Sequence, residues 1–102
     1  MAHTITWAES ALRDLEEIGA FIGRDSPHYA AAVVTELFCS VDALREFPQA
    51  GRVVPEYGAP EIRELIKRPY RIVYTIEPGA VWVVAVVHGA KPLPPDLQGT
   101  QR

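Results

Sequence analysis

The sequence predicts an α+β domain with the element order β-α-α-β-β-β, in which a helical hairpin packs on an antiparallel sheet. Two segments of the N-terminal half repeat apolar residues at helical spacing, and three later segments are rich in β-branched and aromatic residues. With 102 residues, the chain is long enough for one hydrophobic core but not for two. We therefore expect one domain over residues 1–93 and a flexible tail over residues 94–102, which holds two prolines and one glycine.

The N-terminal half begins with a short strand and continues with two helices. Residues 4–7 alternate polar and apolar side chains, which favours a strand. Residues 9–23 place leucine and isoleucine three and four positions apart, which predicts a helix with one apolar face. Ser26 and Pro27 are typical of an N-cap and a first helical position, so a second helix should begin there and run to about Glu46. The single cysteine, Cys39, falls within that helix and is expected to be buried.

The C-terminal half predicts a three-stranded meander. Its segments are Ile62–Ile66, Tyr70–Ile76 and Val81–Val87, and the first two are separated only by Lys67-Arg68-Pro69. Strict alternation makes the last segment apolar on both faces, although the helices can cover only one face. We expect the tail, a second copy or a different chain to cover the other face. The preceding residues 48–60 form a loop that holds three prolines and two glycines.

Composition narrows the classes of function. Hydrophobic and charged contents of 48% and 23% are ordinary for a globular protein, and no apolar run reaches the roughly 20 residues that cross a membrane. The start of the chain lacks the pattern of a secretory signal, so we expect a cytoplasmic protein. One cysteine without companions predicts neither a disulfide nor a metal site, and no cofactor is expected. The sequence pI of about 5.5 argues against nucleic acid as the main partner, although residues 45–71 hold 6 basic and 4 acidic groups.

Six motifs in order give the chain a family resemblance. They are W-A-x(3)-L-x-D-L-x(2)-I over 7–18, D-S-P over 25–27, F-P-x-A-G-R over 47–52, I-R-E-L over 62–65, Y-R-I-V-Y over 70–74, and a terminal V-x-H ending at His88. Together they resemble the RelE/ParE superfamily of bacterial toxins. The resemblance covers residues 4–91. It implies a toxin of a type II toxin–antitoxin system, neutralised by an antitoxin encoded beside it.

Two activities occur in this superfamily: RelE-like members cleave mRNA in the ribosomal A site, and ParE-like members poison DNA gyrase. The resemblance implies that a RelE-like enzyme would carry two lysines at the positions of Ile62 and Glu64, which here cannot bind phosphate. The arginine of the Y-R-I-V-Y motif is present as Arg71, Lys91 aligns with the arginine after the last strand, and the late tyrosine has no counterpart. These departures favour the ParE-like activity.

A second ribonuclease design in the superfamily uses glutamate, arginine and histidine, and Glu56, Arg71 and His88 could supply them. His88 is one position out of register with that pattern, and a solvated strand-end histidine is the simpler interpretation. Arg71 could instead pair with Glu64 across the hairpin, which depends on whether the turn has two or three residues. Arg63 could pair with Glu61 or Glu64 at the surface.

We therefore expect a ParE-like toxin that binds its partners and is not an enzyme, with a role in growth inhibition and plasmid stabilisation. Its partners would be a cognate antitoxin, in a hetero-oligomer, and DNA gyrase. The alternatives are a ribosome-dependent mRNA endoribonuclease and a non-toxic binding module of the same fold. The expected partner-binding residues are Arg63, Arg71, Trp82, His88 and Lys91. The expected catalytic residues of a ribonuclease would be Arg71, His88, Glu56 and Lys91.

Overall fold

The computed structural model describes residues 2–89 and 91–93, and it confirms the α+β architecture. A helical hairpin packs on one face of a five-stranded sheet. The elements are β1 (Thr4–Trp7), α1 (Glu9–Gly23), α2 (Pro27–Ser40), a 3-10 helix (Val41–Arg45), β2 (Arg52–Val53), β3 (Ile62–Lys67), β4 (Tyr70–Glu77) and β5 (Ala80–His88). Among the described residues, no helix is both long and apolar enough to span a membrane. The expected tail 94–102 lies outside the described residues and stays a prediction.

The sheet has the order β1-β5-β4-β3-β2, and two of its features differ from the sequence prediction. The meander β3-β4-β5 is antiparallel as expected, but β1 pairs with β5 in parallel, so the sheet is mixed. The loop after the helices contains an additional two-residue strand, β2, which pairs with Arg63 and Glu64 of β3. Both features depend on how separate segments pair with one another, which the alternation of residues within one segment does not report.

The helical hairpin forms largely as the sequence predicts. The Ser26 hydroxyl accepts a hydrogen bond of 3.1 Å from the Tyr29 N–H and caps α2. The prediction that α2 reaches Glu46 is wrong, because α2 ends at Ser40, whose hydroxyl donates to the Leu37 carbonyl at 2.7 Å. Cys39 is exposed, not buried, because it lies two positions beyond buried Leu37 and so on the opposite side of the helix.

A β-bulge in β5 changes the side-chain faces that strict alternation predicts. Val73 pairs with Ala85 whereas Tyr74 pairs with Val83, so Val84 is the additional residue. As a result, Val84 and Ala85 both pack on the face away from the helices, and Val86 packs on the helix side. Strict alternation predicts Ala85 on the same face as Val83 and Val86 on the same face as Val84, and this prediction is wrong from the bulge onward.

Two side chains of α1 bond the backbone at this bulge. The Ser10 hydroxyl donates to the Val84 carbonyl at 2.9 Å, and the Asp14 carboxylate accepts from the Val86 N–H at 2.9 Å. Burial at this contact raises the pKa of the Asp14 carboxyl above its usual value. The bulge is therefore held in register by the helix that packs on it.

The sheet separates two apolar clusters. On the helix side, a larger cluster includes Leu15, Leu37, Leu44, Ile72 and Tyr74. On the other side, which we call the second face, a smaller cluster includes Val54, Ile62, Val73, Val84 and Ala85.

The second face is covered by the loop between β2 and β3, which we call the covering loop (residues 54–60). Tyr57 and Ala59 of this loop pack on the cluster, and Leu93 joins them from the segment after β5. Hydrogen bonds from Tyr57 N–H and Gly58 N–H to the Val54 carbonyl give the loop its turn. Our expectation named the tail, a second copy or another chain; the tail lies outside the described residues, and the covering loop was not among the expected elements.

Candidate functional site

Four charged side chains meet on the second face, near the turn between β3 and β4. We call Arg52, Glu56, Glu64 and Arg71 the four-charge cluster. Glu64 is only 1% exposed, and each of its carboxylate oxygens accepts one charged hydrogen bond. One is from Arg71 Nε at 2.5 Å and the other from Arg52 Nε at 2.6 Å. The pairing neutralises a carboxylate that would otherwise be buried at high cost.

Arg71 lies at the centre of the cluster. Its two terminal nitrogens donate to the two carboxylate oxygens of Glu56 at 2.8 and 2.9 Å, which is the bidentate geometry of a guanidinium and a carboxylate. This hydrogen bonding lowers the pKa of Glu56 to about 2 and raises the pKa of Arg71 above its already high value. Glu56 belongs to the covering loop, so this ion pair also fastens the loop to the sheet.

Arg71 and Glu64 contact each other because of the register of the β3–β4 hairpin. The turn between β3 and β4 has two residues, Arg68 and Pro69, joined by a cis peptide bond. Arg71 therefore pairs with Ile66 and Glu64 with Val73, which puts both charged side chains on the second face. Of the alternatives that the sequence left open, the two-residue turn and the Arg71–Glu64 ion pair are the ones observed.

A cleft of about 460 Å³ opens beside the cluster at the β3–β4 turn. Its charged lining comprises Arg52, Arg68 and Arg71, and His88 lies at its rim at the end of β5. The His88 ring contacts the Tyr70 ring edge-on at a centroid distance of 6.0 Å. The cleft thus offers guanidinium donors to an anion over an apolar floor of Ile66, Pro69 and Tyr70.

The four-charge cluster is better suited to binding a partner than to transferring a proton in a reaction. An efficient general base has a pKa near the working pH, whereas the pKa of Glu56 is about 2. Arg71 already pairs with the carboxylates of Glu56 and Glu64, and the buried Glu64 carboxylate also pairs with Arg52. Among residues 2–89 and 91–93, no group of His, Cys, Asp and Glu side chains could hold a metal ion.

Arg63 has a different environment from the one expected. It lies on the opposite side of β3 and donates to backbone carbonyls, to Pro60 at 2.9 Å and to Gly51 at 3.1 Å, not to Glu61 or Glu64. Tyr74 bonds the same backbone segment: its hydroxyl donates to the Pro48 carbonyl at 2.7 Å and accepts from the Gly51 N–H at 2.9 Å. Arg63 and Tyr74 therefore hold the F-P-x-A-G-R segment against the sheet.

The glycine of that segment is required by its surroundings. A Cβ atom at Gly51 would lie 2.5 Å from the Glu64 carbonyl oxygen and 2.7 Å from the Tyr74 hydroxyl. The close approach of this backbone to β3 allows β2 to form and positions Arg52 over Glu64.

The remaining candidates are distributed around the sheet. Trp82 is half-buried in the second-face cluster, away from the charges. Lys91 is exposed and lines a separate recess with Asp14, Phe21 and His88. The structure thus brings Glu56 and Arg71 together, places His88 at the rim of their cleft, and separates Arg63, Trp82 and Lys91 from it.

Sequence reasoning missed Arg52 as a member of the site. Arg52 is the last residue of the F-P-x-A-G-R motif, and its place in that motif is the one sequence feature that could have marked it as a site residue. Its role depends on the pairing of β2 with β3, which two residues are too few to predict.

Comparison with known proteins relates the whole fold to one family. The family described as "ParE toxin of type II toxin-antitoxin system, parDE" matches residues 5–93. The chain is 40% identical over 92 residues to the candidate toxin Y4kP of Sinorhizobium fredii, covering 88% of this chain and 92% of that protein. It is 34% identical over 88 residues to Toxin RelE2 of Caulobacter vibrioides, covering 85% of this chain and 96% of that protein.

Solved structures agree on the fold. A chain of the chromosomal ParDE toxin–antitoxin system from P. aeruginosa superposes with a TM-score of 0.71 at 19% identity, covering 85% of this chain and 96% of that chain. A chain of the RelBE2 toxin–antitoxin complex from Mycobacterium tuberculosis gives 0.58 at 24% identity, with coverages of 86% and 99%. A mutant of E. coli toxin RelE in the free state gives 0.61 at 18% identity, with coverages of 99% and 95%.

Proposed function

Because the chain belongs to the ParE toxin family of type II toxin–antitoxin systems, we propose that it inhibits DNA gyrase and that a cognate antitoxin neutralises it. The proposal keeps the protein in the class of binding proteins. It acts by occupying a surface of its target and not by cleaving a bond.

The observation that carries this proposal is the neutral four-charge cluster. Cleavage of RNA by its 2′-hydroxyl requires a base, an acid and cations at the scissile phosphate. In this chain the central cation, Arg71, is paired with Glu56 and with buried Glu64. The positions at which the family resemblance places two lysines are both buried, Ile62 within the apolar cluster and Glu64 beneath the arginines. These side chains favour a structural role for the cluster.

An antitoxin is supported as the partner by an apolar groove on the helical hairpin. The groove runs between α1 and α2, and its lining is almost entirely apolar: Leu12, Leu15, Gly19, Ala30, Ala31 and Val34, with Glu16 at its side. Leu12 is 41% exposed, although it belongs to the apolar stripe of α1. Such a groove suits the apolar face of a helix, and the solved relatives from P. aeruginosa and M. tuberculosis come from toxin–antitoxin systems.

The alternative function is that of a ribosome-dependent mRNA endoribonuclease, and one observation favours it. Arg52, Arg71 and His88 line the same cleft, so two cations and an imidazole face one space. Toxin RelE2 of Caulobacter vibrioides, at 34% identity, also carries the name of the RelE-like members. A non-toxic binding module of the same fold is the third reading, and it predicts no growth defect.

Induction of the chain in cells separates these functions. Gyrase inhibition predicts filamentation, a DNA-damage response and loss of supercoiling activity when purified gyrase is mixed with the protein. Ribonuclease activity predicts an arrest of translation within minutes, with mRNA cleaved on ribosomes. Cleavage that is lost in the double variant Arg71→Met, His88→Ala, but kept in the matched surface variant Arg45→Ala, would overturn the proposal.

A further inference from the structure

We propose that the turn at residues 47–50, which we call the Phe47 turn, binds the target of this chain and that the Phe47 ring is its anchor. The inference rests on the proposed function, because it names the surface through which gyrase is bound. The Phe47 turn lies apart from the apolar groove of the helical hairpin and from the cleft at the β3–β4 turn, since it shares no lining residue with either.

Phe47 differs from the other two phenylalanines of the chain in the surroundings of its ring. Phe21 is equally exposed, at 67%, but its ring lies 5.7 Å from the Arg24 guanidinium. Phe38 stacks on Trp7 at a centroid distance of 5.1 Å. Within the part of the chain that the structure describes, the Phe47 ring has no aromatic or cationic neighbour. It is therefore available to a partner, and aromatic side chains are enriched in protein interfaces.

The backbone of the Phe47 turn is fixed by its own hydrogen bonds. The Phe47 N–H donates to the Ala43 carbonyl at 3.0 Å, which joins the turn to the end of the 3-10 helix. The Ala50 N–H donates to the Phe47 carbonyl at 3.0 Å and closes the turn. Pro48 follows the ring directly and fixes its own φ angle. The position of the ring is thus set by local bonds on both of its sides.

Two side chains of the sheet hold the same turn from beneath. Tyr74 is fully buried, and its hydroxyl donates to the Pro48 carbonyl at 2.7 Å and accepts from the Gly51 N–H at 2.9 Å. Arg63 donates to the carbonyls of Gln49 and Gly51 at 3.5 and 3.1 Å. A turn that is ordered before binding loses little conformational entropy when a partner binds, which raises the affinity that one exposed ring can provide.

The charges beside the ring indicate the kind of partner. Glu46 is exposed and forms no ion pair among the described residues, and Asp42 is 3.9 Å from Arg45 in a pair that solvent weakens. Residues 1–46 hold 8 acidic and 3 basic groups, a balance of −5. A protein pocket with an apolar floor and a rim of lysine or arginine complements this surface, and enzymes that hold DNA carry such basic side chains. The same acidic groups would repel nucleic acid itself.

The experiment measures inhibition of supercoiling by purified gyrase with the wild-type chain and with Phe47→Ala. We expect the concentration for half-inhibition to rise about tenfold or more in the variant, because an aromatic anchor at an interface is lost. The matched control is Phe21→Ala, the same substitution at a ring of equal exposure, which should change that concentration by no more than about twofold. Both variants should keep the melting temperature to within about 3 °C, because both rings are exposed.

A second pair of variants tests the acidic rim. Glu46→Lys should raise the concentration for half-inhibition about fivefold and reverse its dependence on salt, because it places a cation against a basic surface. The control is Asp25→Lys, an equal charge change at an exposed residue at the opposite end of α2, where the change should be at most about twofold.

Three results would overturn this inference: inhibition by Phe47→Ala at the wild-type concentration, equal losses in Phe47→Ala and Phe21→Ala, or a wild-type dimer that Phe47→Ala separates into monomers in analytical ultracentrifugation. The last result would assign the Phe47 turn to a contact between two copies of the chain. The failure of the inference is distinguishable from that of the proposed function. If Phe47→Ala inhibits gyrase as well as the wild-type chain does, only the inference fails; if the wild-type chain does not inhibit gyrase, the proposed function fails and the inference fails with it.

Discussion

The two faces of the sheet are held by different physical means. The helix side buries large apolar side chains from both helices and from strands β4 and β5, and the removal of that surface from water stabilises it. The second face buries a smaller cluster beneath a loop, and a network of two arginines and two glutamates fastens that loop. A small domain can thus close a second apolar face with a loop, provided that directional bonds hold the loop in place.

The contribution of charge pairing to the second face is tested most directly by substituting Arg71. The variant Arg71→Ala leaves Glu64 buried with Arg52 as its remaining partner and frees the covering loop, so we expect the free energy of unfolding to fall by about 3–5 kcal/mol. Urea unfolding measures this change. The control is the double variant Arg71→Met, Glu64→Leu, which removes both buried charges and should cost clearly less; an equal cost would contradict the electrostatic explanation.

On the helix side, the corresponding test is Leu37→Ala. Leu37 is 2% exposed within the larger cluster, and its truncation should cost about 3 kcal/mol through lost burial and a cavity. The matched control is Leu12→Ala, at a leucine that is 41% exposed, which should cost less than about 1 kcal/mol. Thermal unfolding of the two variants compares them, and similar losses would show that the groove of the helical hairpin is as well packed as the core.

A smaller effect is expected where the F-P-x-A-G-R segment crosses β3. The variant Gly51→Ala would force a Cβ atom to within 2.5 Å of the Glu64 carbonyl oxygen, and the displaced backbone should cost about 1–3 kcal/mol. Gly23→Ala should instead stabilise the protein. The nearest atom to the added Cβ is the Ala30 Cβ at 3.8 Å, and alanine favours a helix over glycine by up to about 1 kcal/mol. The prediction fails if both variants change the melting temperature in the same direction.

The smallest expected effect is the pH dependence of the loop fastening. The pKa of Glu56 in the folded protein is about 2, below its ordinary value of 4.5, so its ion pair contributes stability above pH 4.5 that is lost as pH falls toward 2. Because the side chain is 42% exposed, solvent screening limits the contribution to about 1 kcal/mol. Glu56→Gln should remove this part of the acid dependence of unfolding between pH 5 and 2.5, and an unchanged slope would show that Glu56 does not fasten the loop.

Local patterns predicted most of the elements and the family. Helical spacing located α1, Ser26 and Pro27 located the start of α2, and clusters of β-branched residues located the three meander strands, because each signal depends on neighbours within a few residues. The six motifs identified the superfamily, which the matched family over residues 5–93 confirms.

For the candidate site, the sequence supplied the residue types of Glu56, Arg71 and His88 but not their arrangement. It left the Arg71–Glu64 ion pair as one of two outcomes, because a turn of two or three residues moves Arg71 from one face to the other. The observed register settled the pair, and the pairing of β2 with β3 added Arg52, which sequence reasoning had not named.

What the sequence alone determined about this protein is thus its elements, its fold class and its family, all of which are written in short-range periodicity and ordered motifs. The mixed sheet, the bulge at Val84, the loop that covers the second face and the neutral charge of the cluster around Arg71 follow from the packing of the whole chain. Each of these depends on how separate segments pair, from the register of the β3–β4 hairpin to the parallel pairing of β1 with β5. Such contacts form through packing and charge pairing in three dimensions, and no single segment carries their signal.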